Sequence, residues 1–397
     1  MIQDKLPTIG LLWGQFAAYH IDRCEAVARQ LAGRFHVRAV EVATRSHDYA
    51  WDASGNIGGA EKRTLFPGRA FEAVCWPRRL LACWRALRGC DSVFMGLPYS
   101  LPEAIILSWA LRLSGVRVIM MTESKHDDRA RTGWKEAVKS ALLRAYDAAL
   151  VGAHRQAAYC RTLGFARRRI EPGYDTVSVT RIRTLAGQGS AQASAFADRP
   201  VLFVGRFVQK KDPLGVLRAY AHYLSLSGQP ARRLVMAGDG PLAPTLKLEA
   251  QRLGISDRVD FPGFLNASQI SQQMARALLL LLPSREEQWG LVVNEALAAG
   301  LPVIASSAVG ACDALVRHGV NGYVVTAGAD IETGAAIARI SADQAGWEAM
   351  AQASAALAMT GDVGHFADAV EILLDPGDQA LAGRVAEFRK AVGMDQQ

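Results

Sequence analysis

The feature that most constrains the fold is the alternation of short apolar segments with amphipathic segments along the chain. Short apolar runs bounded by glycine or polar residues are typical of buried strands, and the longer segments between them have helical spacing. Strands alternating with helices predict an α/β fold with parallel sheets. The strand candidates of the first half are Thr8–Trp13, Val37–Val42, Asp91–Leu97, Val116–Thr122 and Ala148–Val151.

The alternation stops between about 182 and 198, where the chain is small and polar as linkers are. We therefore predict two Rossmann-like domains, at 1–183 and 200–375, with a linker at 184–199. A C-terminal helix is predicted for 376–397, and packing of that helix on the first domain is one option. The strand candidates after the linker are Val201–Val204, Leu234–Ala237, Val259–Phe261, Leu278–Leu282 and Pro302–Ser306.

Charge is distributed unevenly between the two halves. Residues 1–190 contain 28 basic and 17 acidic side chains, whereas residues 191–397 contain 17 and 21. A basic domain suits an anionic partner such as a membrane surface, an acidic acceptor or nucleic acid. Segments 76–88 and 129–144 mix tryptophan, leucine and basic residues at helical spacing, which favours an anionic membrane surface. The alternative is a packed helix whose arginine stems cover apolar surface. Nucleic acid is not expected, because no recognisable binding motif occurs.

Several absences in the sequence limit the function classes. The six cysteines show no Cys-x-x-Cys spacing, no signal-peptide pattern opens the chain, and no Asp-x-Asp pair occurs. We therefore expect a cytoplasmic protein, either free or peripheral on the inner face of the cell membrane. No metal site and no resident cofactor are predicted.

Polar residues that directly follow strand candidates are the first candidates for a site, because open parallel sheets bind ligands beyond the carboxyl ends of their strands. Gly205 and Arg206 follow one strand, with Lys211 shortly after, and two cations there can clamp a diphosphate. Gly238 opens a tight turn after the next strand. Phe264 follows another strand end, where an aromatic ring can hold a nucleobase. Taken alone, the basic loop and the glycine turn are more simply explained as an ordinary solvated loop and turn, and the Phe264 segment is equally a surface turn.

The strongest motif follows the apolar strand Leu278–Leu282. A glycine permits close approach of a ligand to the backbone, and the first amides of a helix favour phosphate. These amides belong to Gly290, Leu291 and Val292.

Two glutamates flank this helix start. Glu287 lies just before the helix start, where a carboxylate can accept hydrogen bonds from hydroxyl groups. Glu295 lies within the helix, where it is placed to reach a ribose diol. Taken singly, they would be a helix-capping charge and an exposed helical glutamate. Together with Arg206 and Lys211 they indicate a nucleotide-sugar site.

Residues 200–326 resemble the donor domain of the retaining glycosyltransferase family 4, which has the GT-B architecture of two Rossmann-like domains facing a cleft. The matching pieces, in the family's order, are Val-Gly-Arg…Lys-Lys, Ala-Gly-Asp-Gly-Pro, Val-Asp-Phe-Pro-Gly-Phe, a Glu-x7-Glu run, Glu-Ala-Leu-Ala-Ala-Gly-Leu-Pro-Val-Ile-Ala and His-Gly-Val-Asn-Gly-Tyr-Val-Val. The segment 309–313 departs from the family, which often has two glycines and a glutamate there.

The resemblance implies roles for the second half. Arg206 and Lys211 would bind the donor diphosphate, Glu295 the ribose, and Glu287 the transferred sugar. The strand end near Phe264 would hold the base.

The first half resembles the family more loosely. Gly14 corresponds to a glycine loop near the reacting centre. Many relatives carry a histidine after the strand that ends at Thr122. Here Glu123 takes that position and His126 lies three residues later, so both are candidates for the catalytic set with Glu287, Arg206 and Lys211. His20 and Arg23 are weaker candidates for acceptor contacts.

The resemblance implies a metal-independent transfer, with retained anomeric configuration, of a hexosyl-type sugar from a nucleotide diphosphate sugar such as a UDP- or GDP-sugar. The acceptor would be a sugar or lipid-linked hydroxyl in bacterial polysaccharide, lipopolysaccharide or glycolipid assembly. Two alternatives stay open: a nucleotide-sugar epimerase on the same architecture, and a non-catalytic sugar-binding protein.

Overall fold

The computed structural model describes residues 6–46, 55–128, 131–187, 195–226 and 231–395. The chain forms two compact units. The first unit comprises Met1–Val177 together with Val363–Gln397, and the second comprises Ser178–Asp362. Part of the predicted linker, 188–194, lies outside the described residues, as does Arg129 of the second basic segment.

Each unit is built on one parallel sheet. Within the described residues the first sheet has the strand order β3-β2-β1-β4-β5-β6-β7 and the second has the order β10-β9-β8-β11-β12-β13. The strands are β1 (Thr8–Trp13), β2 (His36–Arg45), β3 (Glu61–Ala70), β4 (Ser92–Met95), β5 (Arg117–Thr122), β6 (Ala148–Val151), β7 (Arg169–Pro172), β8 (Val201–Val204), β9 (Leu234–Ala237), β10 (Val259–Gly263), β11 (Leu279–Leu282), β12 (Val303–Ser306) and β13 (Gly322–Val325).

Helices connect the strands in both units. They are α1 (Ala18–Gln30), α2 (Trp76–Leu87), α3 (Pro102–Leu113), α4 (Gly133–Leu142), α5 (His154–Cys160), α6 (Val179–Gly187), α7 (Pro213–Leu226), α8 (Ala243–Arg252), α9 (Ala267–Arg276), α10 (Leu291–Ala298), α11 (Cys312–Leu315), α12 (Asp330–Ala342), α13 (Gln344–Leu357), α14 (Gly364–Leu374) and α15 (Gln379–Ala391).

Burial on both faces explains the apolar character of the central strands. All six residues of β1 and all four of β11 are buried, because helices cover both faces of a parallel sheet. Local signals fix helix starts as well: Asn266 accepts a hydrogen bond from the Gln269 amide at 2.9 Å, and the Gln269 side chain accepts one from the Asn266 amide at 3.0 Å. The predicted pair of parallel-sheet α/β domains is confirmed.

The chain passes between the two units at two points, and both differ from the domain boundaries predicted from the sequence. Residues 178–183 belong to the second unit, where Arg183 donates a hydrogen bond to the Ala298 carbonyl at 3.3 Å. Residues 363–375, assigned from the sequence to the donor domain, belong to the first unit. Helix α14 packs on α1, and its Phe366 and Val370 are fully buried in the core of that unit.

Helix α15 packs on α14 and on β7. Arg389 in its last turn donates hydrogen bonds to the Ile170 carbonyl at 2.9 Å and to the Glu171 carboxylate at 3.0 Å. The C-terminal helix is therefore part of the first unit.

Candidate functional site

The neighbouring strands β8 and β11 define the centre of the candidate site in the second unit. From β8 the chain proceeds to β9 and β10 on one side of the sheet, and from β11 to β12 and β13 on the other. This is the topological switch point, where the loops after two adjacent strands diverge and leave a crevice for a ligand. Residues 205–212 form the β8 loop, and residues 283–290 form the β11 loop.

An ion pair joins these two loops. The Lys211 ammonium contacts the Glu287 carboxylate, and the two side chains are 17% and 13% exposed. Ser284 donates a hydrogen bond from Oγ to Glu287 Oε2 at 3.5 Å. The Glu287 backbone is also held, since its carbonyl accepts from the Gly310 amide at 3.2 Å. Two residues predicted from the sequence to bind the donor are thus brought together.

Backbone hydrogen bonds fix the position of Lys211. The amides of Arg285 and Glu286 donate to the Lys210 carbonyl at 2.8 and 3.2 Å. The Arg285 guanidinium lies 2.9 Å from Asp212 Oδ2, and Asp212 itself adopts a left-handed φ of 49°. A left-handed non-glycine residue is an uncommon conformation that the surrounding contacts must sustain.

Gly238 lies where three loops nearly touch. A Cβ at this position would lie 1.9 Å from the Gly205 carbonyl oxygen, and the φ of Gly238 is +150°. The Gly205 amide donates to the Ala237 carbonyl at 3.0 Å, and the Gly238 amide donates to the Gly263 carbonyl at 2.9 Å. Close backbone approach therefore explains the glycine at 238 without any ligand.

Gly290 is the N-cap of α10 and has a φ of +98°. A Cβ there would meet side-chain atoms of Glu287, Leu282 and Val309, each at 3.2 Å. Leu291 and Val292 form the first turn of α10, whose amides lack partners within the helix by geometry. Glu295 is half-buried in the same helix. The helix start thus lies directly beside the Lys211–Glu287 pair.

Trp289 anchors the β11 loop, a role that the sequence did not reveal. Its indole Nε1 donates to Asn294 Oδ1 at 2.9 Å, and the residue is 3% exposed. The Asn294 amide donates in turn to the Gly361 carbonyl at 3.4 Å.

Phe264 and Arg206, two of the predicted site residues, lie at the same edge of the sheet and are exposed or half-buried. Phe264 directly follows β10 and is 53% exposed. Arg206 is half-buried in the β8 loop. Both lie beyond the carboxyl ends of their strands, as the sequence predicted.

In the first unit, Gly14 follows β1 at the corresponding switch point between β1 and β4. A Cβ at Gly14 would come no closer than 3.5 Å to another atom, in the Phe71 ring. Packing therefore does not require glycine at this position.

The structure separates Glu123 from His126. Glu123, after β5, is half-buried, and its carboxylate lies near enough to Asp175 to raise the pKa of that carboxyl. His126 is exposed, and its ring meets the Tyr159 ring edge-on with 6.1 Å between centroids.

Glu123 borders a buried polar cluster that the sequence indicated only in part. Arg23 is fully buried: its Nε donates to the Thr176 carbonyl at 3.1 Å, and its Nη2 lies 3.9 Å from Asp175 Oδ1. Burial and the Glu123 carboxylate raise the pKa of Asp175 well above its usual range.

His20 and Trp13 belong to the same region. Burial and the Arg23 guanidinium lower the pKa of His20 well below its usual value, and its Nδ1 accepts a hydrogen bond from the Ala17 amide at 2.9 Å. Trp13 donates from Nε1 to the Tyr174 hydroxyl at 3.0 Å. No sequence motif pointed to Trp13, Tyr174 or Asp175. The contacts of Trp13 with Tyr174 and of Arg23 with Asp175 join chain segments more than a hundred positions apart.

Two further observations concern the described residues only. They contain no group of three or more His, Cys, Asp and Glu side chains placed to hold a metal ion. None of their helices has both the length and the hydropathy needed to cross a bilayer.

Comparison with known proteins finds a family match within the second unit. Residues 192–356 match glycosyl transferases group 1. Over 177 residues, this chain is 38% identical to a D-inositol 3-phosphate glycosyltransferase of Mycobacterium avium, and the match covers 43% of this chain and 40% of that protein. Matches to the curated relatives span between about a quarter and two fifths of the relatives' length.

Likeness to solved structures extends over nearly the whole chain. Anabaena HepE, solved with UDP and glucose, superposes with a TM-score of 0.68 at 19% identity, covering 93% of this chain and 100% of HepE. WaaG, a glycosyltransferase involved in lipopolysaccharide biosynthesis, gives 0.63 at 17% identity, with 93% and 100% coverage. At these identities the likeness shows the fold, and the predicted GT-B fold class is confirmed.

Proposed function

We propose that this protein is a glycosyltransferase that moves a sugar from a nucleotide diphosphate sugar to an acceptor hydroxyl. The observation that carries the proposal is the Lys211–Glu287 pair at the switch point of the group 1 segment. A paired cation and carboxylate beside a glycine-led helix start offer one group for phosphate and one for sugar hydroxyls.

The ion pair suggests how the donor is received. A diphosphate reaching the crevice competes with Glu287 for the Lys211 ammonium. Once Lys211 turns to phosphate, the Glu287 carboxylate is released to accept hydrogen bonds from the transferred sugar. Arg206 and the first amides of α10 add positive potential where the leaving diphosphate gains charge, which stabilises the transition state without a metal ion.

The residues proposed to bind the base and the ribose of the donor lie along the carboxyl ends of the strands. Neighbouring strands lie about 4.8 Å apart, so β10 lies about 10 Å from β8. A nucleotide spanning that distance would place its base at exposed Phe264 and its diphosphate at Lys211, with Glu295 on the ribose. The UDP and glucose found with Anabaena HepE make UDP-sugars the first donors to test.

Retention of the anomeric configuration is the finer part of the proposal. The reacting carbon would pass through an oxocarbenium-like state, and the leaving phosphate would help deprotonate the acceptor on the same face. Glu123 and His126 are the first-unit candidates for contacts with the reacting sugar. Glu123 is half-buried and lies near Asp175, whereas His126 is exposed, so Glu123 is the first of the two to test.

For the acceptor side we propose peripheral binding to an anionic bilayer, which fits a lipid-linked acceptor. Helices α2 and α3 pack together, and Trp109 of α3 donates to the Leu142 carbonyl of α4 at 3.0 Å. These three neighbouring helices expose apolar side chains beside basic ones, as interfacial helices do. The apolar members of this basic-apolar face are Trp76, Leu81, Ile106, Leu113, Trp134 and Val138, and the basic members are Arg78, Arg85 and Lys135.

The experiment that tests the function has two stages. Thermal unfolding with a panel of nucleotide diphosphates and nucleotide sugars identifies the donor, because a ligand at a hundred times its Kd stabilises by about 2.7 kcal/mol. Product analysis with that donor, with and without sugar acceptors, then separates the candidates. Transfer supports the proposal, epimerisation without acceptor supports the epimerase, and unchanged donor supports a binding protein.

A further inference from the structure

Arg285 is attached to both chain neighbours of Lys211. Its backbone amide donates to the Lys210 carbonyl at 2.8 Å, and its guanidinium Nε lies 2.9 Å from Asp212 Oδ2. Lys211 itself contacts Glu287, which lies two positions after Arg285. Three successive residues of the β8 loop are therefore held by one short segment of the β11 loop. These contacts keep the two loops together at the point where their chains diverge, which is the candidate donor site.

Asp212 turns the chain sharply between Lys211 and helix α7. Its φ of 49° and ψ of 48° are left-handed, and Pro213 follows directly. Residues with a Cβ rarely adopt this conformation, and a residue before proline is biased toward extended backbone, so surrounding contacts must maintain the turn. The Asp212 amide donates to the Gln209 carbonyl at 3.1 Å, and its Oδ1 accepts from the Gly215 amide at 3.2 Å. The turn that follows Lys211 thus depends on the Asp212 side chain.

The Asp212 carboxylate is buried and lies between two guanidinium groups. Its side chain is 5% exposed, with Arg285 at 2.9 Å and Arg218 at 3.8 Å. Buried carboxylates are stable in the charged form when they are paired in this way. A Cβ on Gly215 would lie 2.7 Å from Asp212 Oδ2. A Cβ on Gly328 would lie 3.0 Å from Arg285 Nη1. Glycine at both positions therefore leaves room for the ion pair, and Arg285 is the nearer of the two cations.

We propose that Asp212 and Arg285 are positioning residues that hold the Lys211 backbone in place for the donor diphosphate. These roles rest on the proposed function, in which Lys211 exchanges Glu287 for a phosphate group. Because Arg285 holds the residues on either side, only the Lys211 side chain has to turn when the diphosphate arrives. The loop is then ordered before binding, so that ordering it does not weaken the affinity for the donor. Neither Asp212 nor Arg285 has to contact the ligand in this role.

The test compares the binding of nucleoside diphosphates with that of nucleosides by calorimetric titration. UDP and GDP carry the diphosphate, whereas uridine and guanosine lack it. Asp212→Asn keeps a side chain that tolerates left-handed backbone and can cap α7, but it removes the charge. Asp212→Asn and Arg285→Gln should each weaken diphosphate binding about tenfold, with nucleoside binding unchanged. The double variant should lose no more than either single variant, because both substitutions break the same ion pair.

Asp260→Asn is the matched control, because it breaks another ion pair of the second unit. Arg233 Nη2 lies 2.6 Å from Asp260 Oδ1, near the amino-terminal ends of β9 and β10 and away from the candidate site. This variant should bind all four ligands as the wild type does.

Unchanged diphosphate binding by both single variants overturns the positioning roles and leaves the proposed function standing. Additive losses in the double variant also overturn them, since Arg285 would then act on the phosphate separately from Asp212. Equal weakening of nucleoside and diphosphate binding overturns them too, because the damage would then be general. A wild-type protein that binds neither UDP nor GDP rejects the proposed donor site together with these roles. If Asp212→Asn lowers the thermal midpoint, Arg285→Gln, at an exposed side chain, decides alone.

Discussion

Arg23 Nη2 lies 3.9 Å from Asp175 Oδ1, and both side chains are completely buried. The pair joins α1 to the segment after β7. The Glu123 carboxylate lies near enough to Asp175 to act on it electrostatically. Burial of charged groups is costly, and burial together with the Glu123 carboxylate raises the pKa of Asp175 well above its usual range.

The raised pKa of Asp175 predicts that the stability of the first unit depends on pH. Because the folded pKa of Asp175 is raised, its stabilising contribution is fully present below the ordinary carboxyl range and is lost as pH rises toward the folded pKa. Asp175→Asn, which cannot ionise, should lose less thermal stability than wild type between pH 5 and pH 8. Calorimetry at both pH values, with exposed Asp257→Asn as control, measures this. An identical pH dependence in all three proteins would contradict the assignment.

The Lys211–Glu287 pair predicts opposite responses from its two members. Lys211→Ala should weaken UDP binding about tenfold or more, because a charge-assisted phosphate contact is lost. Glu287→Gln should leave UDP binding unchanged or tighter, since Lys211 is released, while sugar transfer falls about a hundredfold or more. Calorimetric titration and a transfer assay report the two quantities. Glu286 is exposed and adjacent, so the control variant Glu286→Gln should change neither UDP binding nor sugar transfer. Weaker UDP binding by Glu287→Gln would argue against competition for Lys211.

Gly238 and Gly254 both have positive φ, but only Gly238 is crowded. Alanine at 254 should cost about 1 kcal/mol, the ordinary penalty of a left-handed conformation. Alanine at 238 should cost about 3 kcal/mol or more, because its Cβ collides with the Gly205 backbone and must displace the β8 loop. Chemical denaturation of the second-unit transition compares the variants. Similar losses at both positions would show that the loops relax freely.

The basic-apolar face predicts binding to anionic vesicles. Trp134→Ser combined with Val138→Ser should reduce sedimentation with phosphatidylglycerol-containing vesicles about tenfold, since two apolar side chains no longer enter the interface. Added salt should weaken the wild-type interaction through screening. Leu248→Ser, at a site 65% exposed in the second unit, is the control. Equal sedimentation of both variants would exclude this face as the membrane contact.

The sequence predicted the central strands but missed the edges of the first sheet. Strands such as β11 are buried on both faces, so their sequences are continuous apolar runs. No residue of β3 is buried, and β7 contains Arg169 and Glu171, so neither edge strand carries that signal. The return of α14 to the first unit was also missed, because it depends on side-chain fit to α1 and not on order along the chain.

For the candidate site, the sequence predicted which residues follow the strands, but it did not predict which side chains contact one another. Arg206, Lys211 and Glu287 follow strands whose carboxyl ends share one edge, which topology dictates. The Lys211–Glu287 contact and the Trp289 anchor depend on loop conformations. Those conformations are set by backbone bonds such as Arg285 to Lys210, between segments more than seventy positions apart.

The chain passes from the first unit to the second after Val177 and back after Asp362. Because chains are synthesised from the amino terminus, the second unit has been synthesised in full before α14 and α15 are made. The surface of the first unit that α14 covers stays exposed until residues 364–374 have been synthesised. The second unit is therefore the first whose residues are all available, and a released chain truncated near 362 should contain a folded second unit beside an unfinished first one.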